Sequence, residues 1–310
     1  METNLANPSP SDKSKKPNVH QMVTNIIIEQ LENGVIPWQK SWASTELSFA
    51  MEMPLNSTTE KYYRGINIVL LWCSAIKHKF PQQEWAGLKQ WNRSNEKVKA
   101  GESGTMIVYY DTFLKEEDGE IKKIPFLKHS YVYNRSQLEN YQPPEPVAKP
   151  VKKAGKKSKF APITAIDEFL ANTKAVIEHH NGDPCYSPAK DKILMPHHSN
   201  FHGTKTSSAT EAYYSANLHE LVHWSGVEKR CDRKMGKKFG DKEYAAEELV
   251  AEFGAAFLCT GFGLPTVEKG DHSGYIAHWL KVLKEDNRIV TTAANEASKA
   301  VDFLHSFNLM

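Results

Sequence analysis

Residues 213–226 read YYSANLHELVHWSG and place His219, Glu220 and His223 in the spacing H-E-x-x-H. Residues four apart on an α-helix lie one turn apart on the same face, so both imidazoles can bind one ion. Two histidines can fill two corners of a tetrahedral Zn²⁺ site, and the glutamate beside them can reach a water molecule without binding the metal. The spacing predicts a zinc-hydrolase centre with Glu220 as its general base. The alternative is a pair of surface histidines on an amphipathic helix.

A zinc ion held by two histidines needs a third protein ligand and an open position for water. Residues 241–263 form a second predicted helix, on which Glu248 and Glu252 lie one turn apart. We expect Glu248 to be the third ligand and Glu252 to accept the ring N–H of a histidine ligand. Glu247, on the same helix, is expected to be solvated. The alternative for all three residues is a solvated stripe of glutamates.

A hydrolytic site also needs an oxyanion donor and a surface that holds the substrate. His202, Tyr213 and Tyr214 are candidate donors, and the pattern does not choose among them. Residues 191–195, DKILM, form a predicted strand that ends at Pro196. An extended substrate can pair with a free strand edge through main-chain hydrogen bonds, so this strand is the candidate edge. An ordinary sheet strand is an equal alternative.

Aromatic side chains beside cations mark the first half of the chain. Five of the seven tryptophans lie in residues 38–91, several of them next to lysine or arginine. Rings on which bases stack, with cations that follow the phosphates, are typical of single-stranded nucleic-acid binding. We expect Trp38 and Trp42 to be exposed in a proline-containing loop, and Trp72 to lie in the core. The candidate nucleic-acid-binding residues are Trp38, Lys40, Trp42, Tyr62, Arg64, Lys89 and Trp91.

Hydrophobic periodicity predicts the elements that position these residues. In the first half it predicts helices over 19–33 and 66–79, a strand over 105–114 followed by an EDG turn, and a strand over 129–134. In the second half it predicts a helix over 212–225 that carries the two histidines. The fold class is therefore predicted to be α+β, with two domains.

Charge and composition locate the boundary between the two domains. Residues 145–160 contain six lysines and one glutamate, which is typical of an extended linker. We expect a flexible leader at 1–18, a first domain at 19–144, a linker at 145–161 and a second domain at 162–310. The four cysteines are far apart, and no apolar run is long enough to cross a membrane. These features favour a cytoplasmic protein with no membrane partner.

The motifs around the two predicted helices carry a family resemblance. HELVHWSG and EELVAEFGAAFL resemble the gluzincin metallopeptidases, in which a glutamate on a later helix completes a zinc site of two histidines and one glutamate. The segment between them, VEKRCDRKMGKKFGDKEYA, resembles the metallopeptidase domain of ArdC-type antirestriction proteins and related polyvalent proteins of mobile elements. The resemblance implies a zincin-like fold for the second domain and one Zn²⁺ per chain.

Four motifs of the first half resemble the N-terminal domain of the same family: GVIPWQKSW, YYRGINIVLL, KAGESGTMIVYY and YVYNRSQLE. In that family, this domain binds single-stranded DNA, which makes single-stranded DNA the expected partner. The resemblance implies an antirestriction protein that protects incoming DNA and carries a zinc-dependent peptidase site. A host restriction component, or another protein, would then be its substrate.

Two other functions remain open from the sequence. The protein can be a DNA-binding shield whose metal site is structural, or a repressor-cleaving protease that resembles the ImmA/IrrE group. Glu220 favours a catalytic site, because a purely structural metal site has no use for a general base.

Overall fold

The structure, a computed structural model, describes residues 18–39, 52–117, 120–143, 160–203, 207–236, 242–264 and 272–308. We call residues 18–143 the N-terminal half and residues 160–308 the C-terminal half. Nearly all of the predicted leader (1–18) and linker (145–161) lies outside the described residues, as do Lys40 and Trp42. Both halves combine helices with a sheet, so the α+β fold class is confirmed.

The N-terminal half contains three α-helices and five strands among its described residues. These are α1 (Val19–Glu32), β1 (Leu55–Asn56), β2 (Lys61–Tyr62), α2 (Ile66–His78), β3 (Glu84–Gly87), α3 (Leu88–Arg93), β4 (Thr105–Glu117) and β5 (Glu120–Asn134). The predicted helices over 19–33 and 66–79 are confirmed as α1 and α2. Asn18 begins α1 by accepting a hydrogen bond from the backbone N–H of His20, as a helix N-cap does.

The five strands form one sheet in the order β2-β1-β3-β5-β4. A long antiparallel hairpin, β4–β5, dominates it, and its register pairs Thr105 with Val132. The predicted strands 105–114 and 129–134 are confirmed as parts of this hairpin, which is longer than the sequence indicates. The helix α2 packs against β4 and supports the sheet from one side.

The C-terminal half contains five α-helices and three strands among its described residues. These are α4 (Thr164–Asn172), β6 (Val176–His180), β7 (Cys185–Ser187), β8 (Lys192–Pro196), α5 (Ala209–Trp224), α6 (Lys242–Gly261), α7 (His272–Glu285) and α8 (Ile289–Ser306). The predicted helices over 212–225 and 241–263 are confirmed as α5 and α6.

The small sheet has the order β6-β8-β7, and this order overturns one prediction. Residues 192–195 of this segment lie in β8, the central strand, which pairs with β6 on one side and with β7 on the other. Both of its edges are occupied, so the prediction that this segment is a free edge is wrong. Ile193 and Met195 are fully buried, whereas Lys192 and Leu194 are partly exposed, so burial alternates along the strand. The two edge strands of this sheet are β6 and β7.

An ion pair holds the β7–β8 turn against the end of α5. Asp191 in this turn pairs with Arg230, and the hydroxyl of Tyr186 donates to Asp191 at 2.7 Å. The guanidinium of Arg230 lies 3.8 Å from the ring centre of Trp224, the last residue of α5. These contacts place β7 beside the helix that carries the two histidines.

A single hydrophobic cluster contains buried residues from both halves. Trp38 meets Phe253 of α6 edge-to-face, with ring centres 5.1 Å apart, and Trp72 of α2 meets Phe257 of α6 at 5.8 Å. In addition, α1 packs on α7, and α8 packs on α2 and α6. The two halves therefore share a core in which helices of one half shield helices of the other. Among the described residues, no helix has the length and apolar character that a membrane crossing requires.

Candidate metal centre

The helix α5 begins at a capping box that fixes its register. The side chain of Ser208 accepts from the backbone N–H of Glu211, and the Glu211 carboxylate accepts from the backbone N–H of Ser208 at 2.6 Å. Regular helix follows as far as Trp224, so His219 and His223 project from the same face. Their ring centres are 4.9 Å apart.

The helix α6 packs closely against this part of α5. A methyl group added at Gly254 would lie 2.8 Å and 2.9 Å from the two Cγ atoms of Val222, closer than ordinary van der Waals contact. A glycine at this position lets the two backbones approach each other, which brings the glutamates of α6 next to the histidines of α5.

Three side chains of the two helices converge on one point. The ligand atoms of His219, His223 and Glu248 all lie within 4.8 Å of one another. The Nε2 atoms of His219 and His223 lie 3.7 Å and 3.5 Å from the two carboxylate oxygens of Glu248. Two imidazole nitrogens and one carboxylate oxygen are a donor set that suits a divalent ion and leaves a position open. These residues thus form a candidate divalent metal site.

Glu247 is buried beside this site, and the prediction that it is solvated is wrong. Only 4% of its surface is exposed, and its Oε1 lies 3.1 Å from Nδ1 of His223. The guanidinium of Arg233 donates to both oxygens of Glu247, at 2.7 Å and 2.9 Å. Because Nδ1 of His223 faces this carboxylate, its Nε2 is left to face Glu248. Glu247 therefore orients the imidazole, the role that the sequence analysis gave to Glu252.

The carboxylates and imidazoles of the site strongly shift one another's pKa values. Burial raises the pKa of Glu248, but hydrogen bonds to His219 and His223 outweigh burial and hold the pKa far below its usual value. Burial lowers the pKa of His223, but hydrogen bonds to Glu247 and Glu248 outweigh it and raise the pKa to about 10. The site thus has a negative electrostatic potential, which favours the binding of a cation.

A cleft of about 720 Å³ opens over the three candidate ligands. Glu220 lines this cleft from α5 and is only 7% exposed, which places it next to the metal position. From β7, Cys185 and Tyr186 line it on another side. The arrangement joins a metal site, a carboxylate that can act as a base and a strand edge.

The three predicted oxyanion donors are absent from the cleft lining that the described residues form. The hydroxyl of Tyr213 lies 3.4 Å from Nε2 of His179, and that of Tyr214 donates to Asp167 at 2.7 Å. Tyr244 of α6 lines the cleft, and its hydroxyl hydrogen-bonds Glu248. Burial beside Glu248 raises the pKa of Tyr244 to about 12, so it stays protonated and able to donate. Tyr244 precedes Glu248 by four residues on the same helix, so the two side chains share a face. This spacing is the sequence signal that could have identified Tyr244.

Glu252 lies one turn beyond Glu248 on α6 and also lines the cleft. It is 8% exposed and hydrogen-bonds the hydroxyl of Tyr275 of α7. That hydroxyl also accepts from Nε1 of Trp38 at 3.2 Å. A hydrogen-bonded chain thus connects the N-terminal half to the cleft.

The predicted nucleic-acid-binding tryptophans that the structure describes are core residues. Trp38 is fully buried, so the prediction of exposure is wrong. Trp91 is 1% exposed, and its Nε1 donates to the carbonyl of Tyr133 at 3.0 Å. Both rings pack against apolar neighbours and cannot stack on a base. Tyr62 is 61% exposed, while Arg64 and Lys89 are also exposed, with Arg64 paired to Asp302.

Exposed aromatics of the N-terminal half also lie on the β4–β5 hairpin. Tyr109, Tyr110 and Tyr131 are each about half exposed, and Tyr109 lies directly opposite Lys128. Tyr109 and Lys128 share one face of the hairpin, and Tyr110 and Tyr131 lie on the opposite face. We call these four residues together the hairpin surface. Their exposure cannot be predicted from the sequence, because tyrosines in an alternating strand are equally typical of a core.

Comparisons with known proteins agree with the geometry of both halves. Residues 17–133 match the model of the N-terminal domain of the anti-restriction factor ArdC, and residues 164–296 match that of a zincin-like metallopeptidase. An uncharacterized protein, y4eC, of Sinorhizobium fredii strain NGR234 is 30% identical over 93% of this chain and 92% of its own length. A DNA primase TraC of Escherichia coli is 32% identical, but the chain spans only 27% of that protein.

Crystal structures of the antirestriction protein ArdC of plasmid R388 have a similar fold. The metal-free structure is 33% identical, with a TM-score of 0.74 over 93% of this chain and 97% of that chain. The Mn(II)-bound structure is 31% identical, with a TM-score of 0.74 over 94% of this chain and 98% of that chain. One of these relatives therefore binds a divalent metal.

Proposed function

Because this chain belongs to the ArdC family of antirestriction proteins, we propose that it protects DNA from restriction by combining single-strand binding with a zinc-dependent peptidase site. The observation that supports the peptidase most directly is the convergence of three candidate ligands and Glu220 in one cleft. A structural metal site would be closed, whereas this one opens onto a cleft that can take a substrate.

Zinc is the proposed ion because two histidines and one carboxylate are its usual ligands at a catalytic centre. His219, His223 and Glu248 would hold it, and Glu247 would keep His223 in the orientation that binding requires. The bound ion would act as a Lewis acid, which polarises the carbonyl group of the substrate and lowers the pKa of a bound water molecule. Glu220 takes the proton from the attacking water and passes it to the leaving amine. Tyr244 donates a hydrogen bond to the developing oxyanion.

The charges of the cleft favour a peptide over a phosphodiester. Four glutamates line it, and its described lining contains no lysine or arginine. A phosphate group would meet these carboxylates with no lysine or arginine of the described lining to balance them, whereas a peptide bond carries no charge. The outer strand β7 lines the same cleft and offers its main chain to an extended peptide.

The hairpin surface is the proposed site for single-stranded DNA. Each tyrosine can stack on a base for about 1–3 kcal/mol, Tyr109 on the face where Lys128 can contact a phosphate, and Tyr110 and Tyr131 on the opposite face. Replacing Tyr109 and Tyr131 with alanine should weaken binding of a fluorescent oligothymidine, measured by anisotropy, and leave the melting temperature unchanged. Val176→Ala, an exposed apolar residue of the C-terminal half, is the matched control. Unchanged DNA affinity in the double variant would place the DNA elsewhere.

The peptidase is tested with Glu220→Gln. This variant should keep its metal content, measured by mass spectrometry, because Glu220 is not among the candidate ligands, and its DNA affinity, because Glu220 belongs to α5 and not to the β4–β5 hairpin. It should lose the ability to protect an unmodified plasmid that is transferred into a restricting host. Glu228→Gln, an exposed residue just beyond α5, is the control. If Glu220→Gln protects as well as the original protein, catalysis is not required and the protein acts as a DNA-binding shield.

A further inference from the structure

One residue of the N-terminal half reaches into the cleft over the candidate metal ligands. Gln39 lines this cleft, whereas every other residue of its described lining belongs to the C-terminal half, between Pro184 and Ala255. Both the side-chain nitrogen and the side-chain oxygen of Gln39 are buried, with no hydrogen-bond partner among the described residues. Leaving a buried amide without partners costs free energy, so such groups are rare unless a ligand or water completes them. A ligand of the cleft is therefore expected to contact Gln39.

The backbone at Gln39 is held firmly in place. Its N–H donates to the carbonyl of Ile36 at 3.0 Å, which closes a turn. The preceding residue, Trp38, is fully buried, and its ring meets Phe253 of α6 and Trp279 of α7 edge-to-face. Contacts with the C-terminal half thus anchor this turn beside the cleft. An amide on such a support loses little conformational freedom when it binds a ligand.

These contacts also show which part of the cleft Gln39 faces. Phe253, the partner of Trp38, is five residues beyond Glu248 on α6, or about 7–8 Å along the helix axis. An extended peptide advances about 3.3 Å per residue, so this distance corresponds to about two residues of substrate.

Small side chains leave room for a peptide in this part of the cleft. The helices α5 and α6 run antiparallel, since His223 meets Glu247 at one end of their contact and Ser215 hydrogen-bonds Cys259 at the other. The residues of α5 before His219 therefore lie beside the residues of α6 after Glu248. The small residues that line the cleft on these two segments are Ala212, Ser215, Ala216 and Ala255.

The chemistry of the carboxamide indicates what it binds. Its nitrogen donates and its oxygen accepts, so a group that satisfies both atoms must offer an acceptor and a donor side by side. In an extended chain, the C=O and N–H groups of one residue point to the same side and form such a pair. A carboxylate would satisfy only the nitrogen of Gln39, and an ammonium group would satisfy only its oxygen. The main chain of an extended peptide fits this amide best.

From these observations we propose that Gln39 binds the main chain of an extended peptide substrate about two residues from the scissile bond. Its side-chain nitrogen donates to the carbonyl of one substrate residue, and its side-chain oxygen accepts from the N–H of the same residue. This inference rests on the proposed peptidase function. Gln39 is then a positioning residue that the N-terminal half contributes, so the cleft of the zincin-like half is incomplete without it. The substrate class is a peptide that continues for at least two residues beyond the scissile bond on the side of Gln39.

Peptide hydroxamates test this contact separately from catalysis. The hydroxamate group binds the metal, so the peptide attached to it can be varied. Two probes carry three alanines, one on each side of the metal-binding group, and acetohydroxamate carries none. Calorimetry measures their binding to the zinc-loaded full chain. One trialanine probe should bind at least about tenfold more tightly than acetohydroxamate. Replacing one of its alanines with N-methylalanine, which removes one N–H, should weaken binding about threefold to tenfold.

Gln39→Met keeps the length of the side chain and removes both hydrogen bonds. It should weaken that trialanine probe about tenfold and make its binding insensitive to the N-methyl group, because the two changes remove the same contact. Zinc content and acetohydroxamate affinity should not change. Gln142→Met makes the same substitution at an exposed position of the N-terminal half and should have no effect. Without ligand, Gln39→Met should leave the melting temperature unchanged or raise it, because a buried amide without partners is removed.

The possible results separate this inference from the proposed function. If Gln39→Met binds both trialanine probes as tightly as the original protein does, the inference is overturned and the open metal site still stands. A lower melting temperature of ligand-free Gln39→Met would also overturn it, because Gln39 would then have a structural partner. If no hydroxamate binds the zinc-loaded chain, the metal site is closed and both proposals fail.

Discussion

Trp38→Ala is expected to lower the free energy of unfolding by about 3–5 kcal/mol, the usual range for truncating a fully buried tryptophan. The ring meets Phe253 at 5.1 Å and Trp279 at 6.4 Å, and both contacts are edge-to-face. Its Nε1 donates to Tyr275. Because these partners belong to the C-terminal half, the stability that is lost comes from contacts between the two halves.

The individual contributions support this range. Each aromatic pair is worth about 0.5–1.5 kcal/mol beyond the area that it buries. The hydrogen bond to Tyr275 adds about 0.5–1.5 kcal/mol. At about 2–4 °C per kcal/mol for a chain of this size, the melting temperature should fall by roughly 6–20 °C. Trp38→Phe keeps a ring in the core, so it should lower the melting temperature much less than Trp38→Ala does.

Urea denaturation followed by far-ultraviolet circular dichroism measures the change, and anisotropy with oligothymidine measures DNA affinity on the folded protein. Tyr62→Ala is the control, since Tyr62 is an aromatic of the same half that is 61% exposed, and it should change stability by less than about 0.5 kcal/mol. The reasoning is refuted if Trp38→Ala unfolds like the original protein and instead loses DNA affinity. That result would mean that the ring stacks on bases.

Three further changes probe the metal centre and its support. Glu247→Gln should weaken zinc binding about 10–100-fold, measured by competition with a chromophoric chelator, because Glu247 orients His223. Gly254→Ala should destabilise the protein by about 1–3 kcal/mol and weaken zinc binding, because the new methyl group would push Val222 and α5 away from α6. Hydrogen bonds from its arginine partner hold the pKa of Asp191 below its usual value. Its stabilising effect is therefore present above the unfolded pKa of about 3.9 and is lost as the pH falls further. The difference in melting temperature between the original protein and Asp191→Asn should be seen at pH 7 and shrink below about pH 4.

Each of these changes has a control or a contrary outcome. Glu243→Gln, with the same loss of charge on an exposed part of α6, should bind zinc normally. Wild-type zinc affinity in Glu247→Gln would show that the carboxylate does not orient the histidine. If Gly254→Ala were as stable as the original protein, the two helices would not be in close contact. A melting difference for Asp191→Asn that stays constant down to pH 2 would exclude the carboxylate's charge as its source.

The sequence alone determined the features that depend on local geometry. His219, Glu220 and His223 lie within five residues, and the helix that carries them is specified by its own periodicity and capping residues. Their relative placement then follows from 3.6 residues per turn, whatever the rest of the chain does. The same holds for α1, α2 and α6, whose bounds the apolar pattern predicted closely.

Only the tertiary structure decided which glutamate does what. Glu247 projects from a different side of α6 than Glu248 and Glu252, which share a face one turn apart, and the close contact at Gly254 sets which side faces α5. That rotation puts Glu248 at the metal position and Glu247 on Nδ1 of His223, held there by Arg233. A helical pattern in one segment contains no information about its rotation against another.

Burial and strand order were decided by distant partners for the same reason. Trp38 is buried by Phe253 and Trp279, which are more than 200 positions away in the chain, so its own neighbours suggested an exposed ring. The segment 191–195 is short and begins with two charged residues, as an edge strand can, yet β6 pairs with β8 on one side and β7 on the other. Hydrogen-bond partners across a sheet depend on where other segments lie, because any strand with the right alternation can pair on either edge.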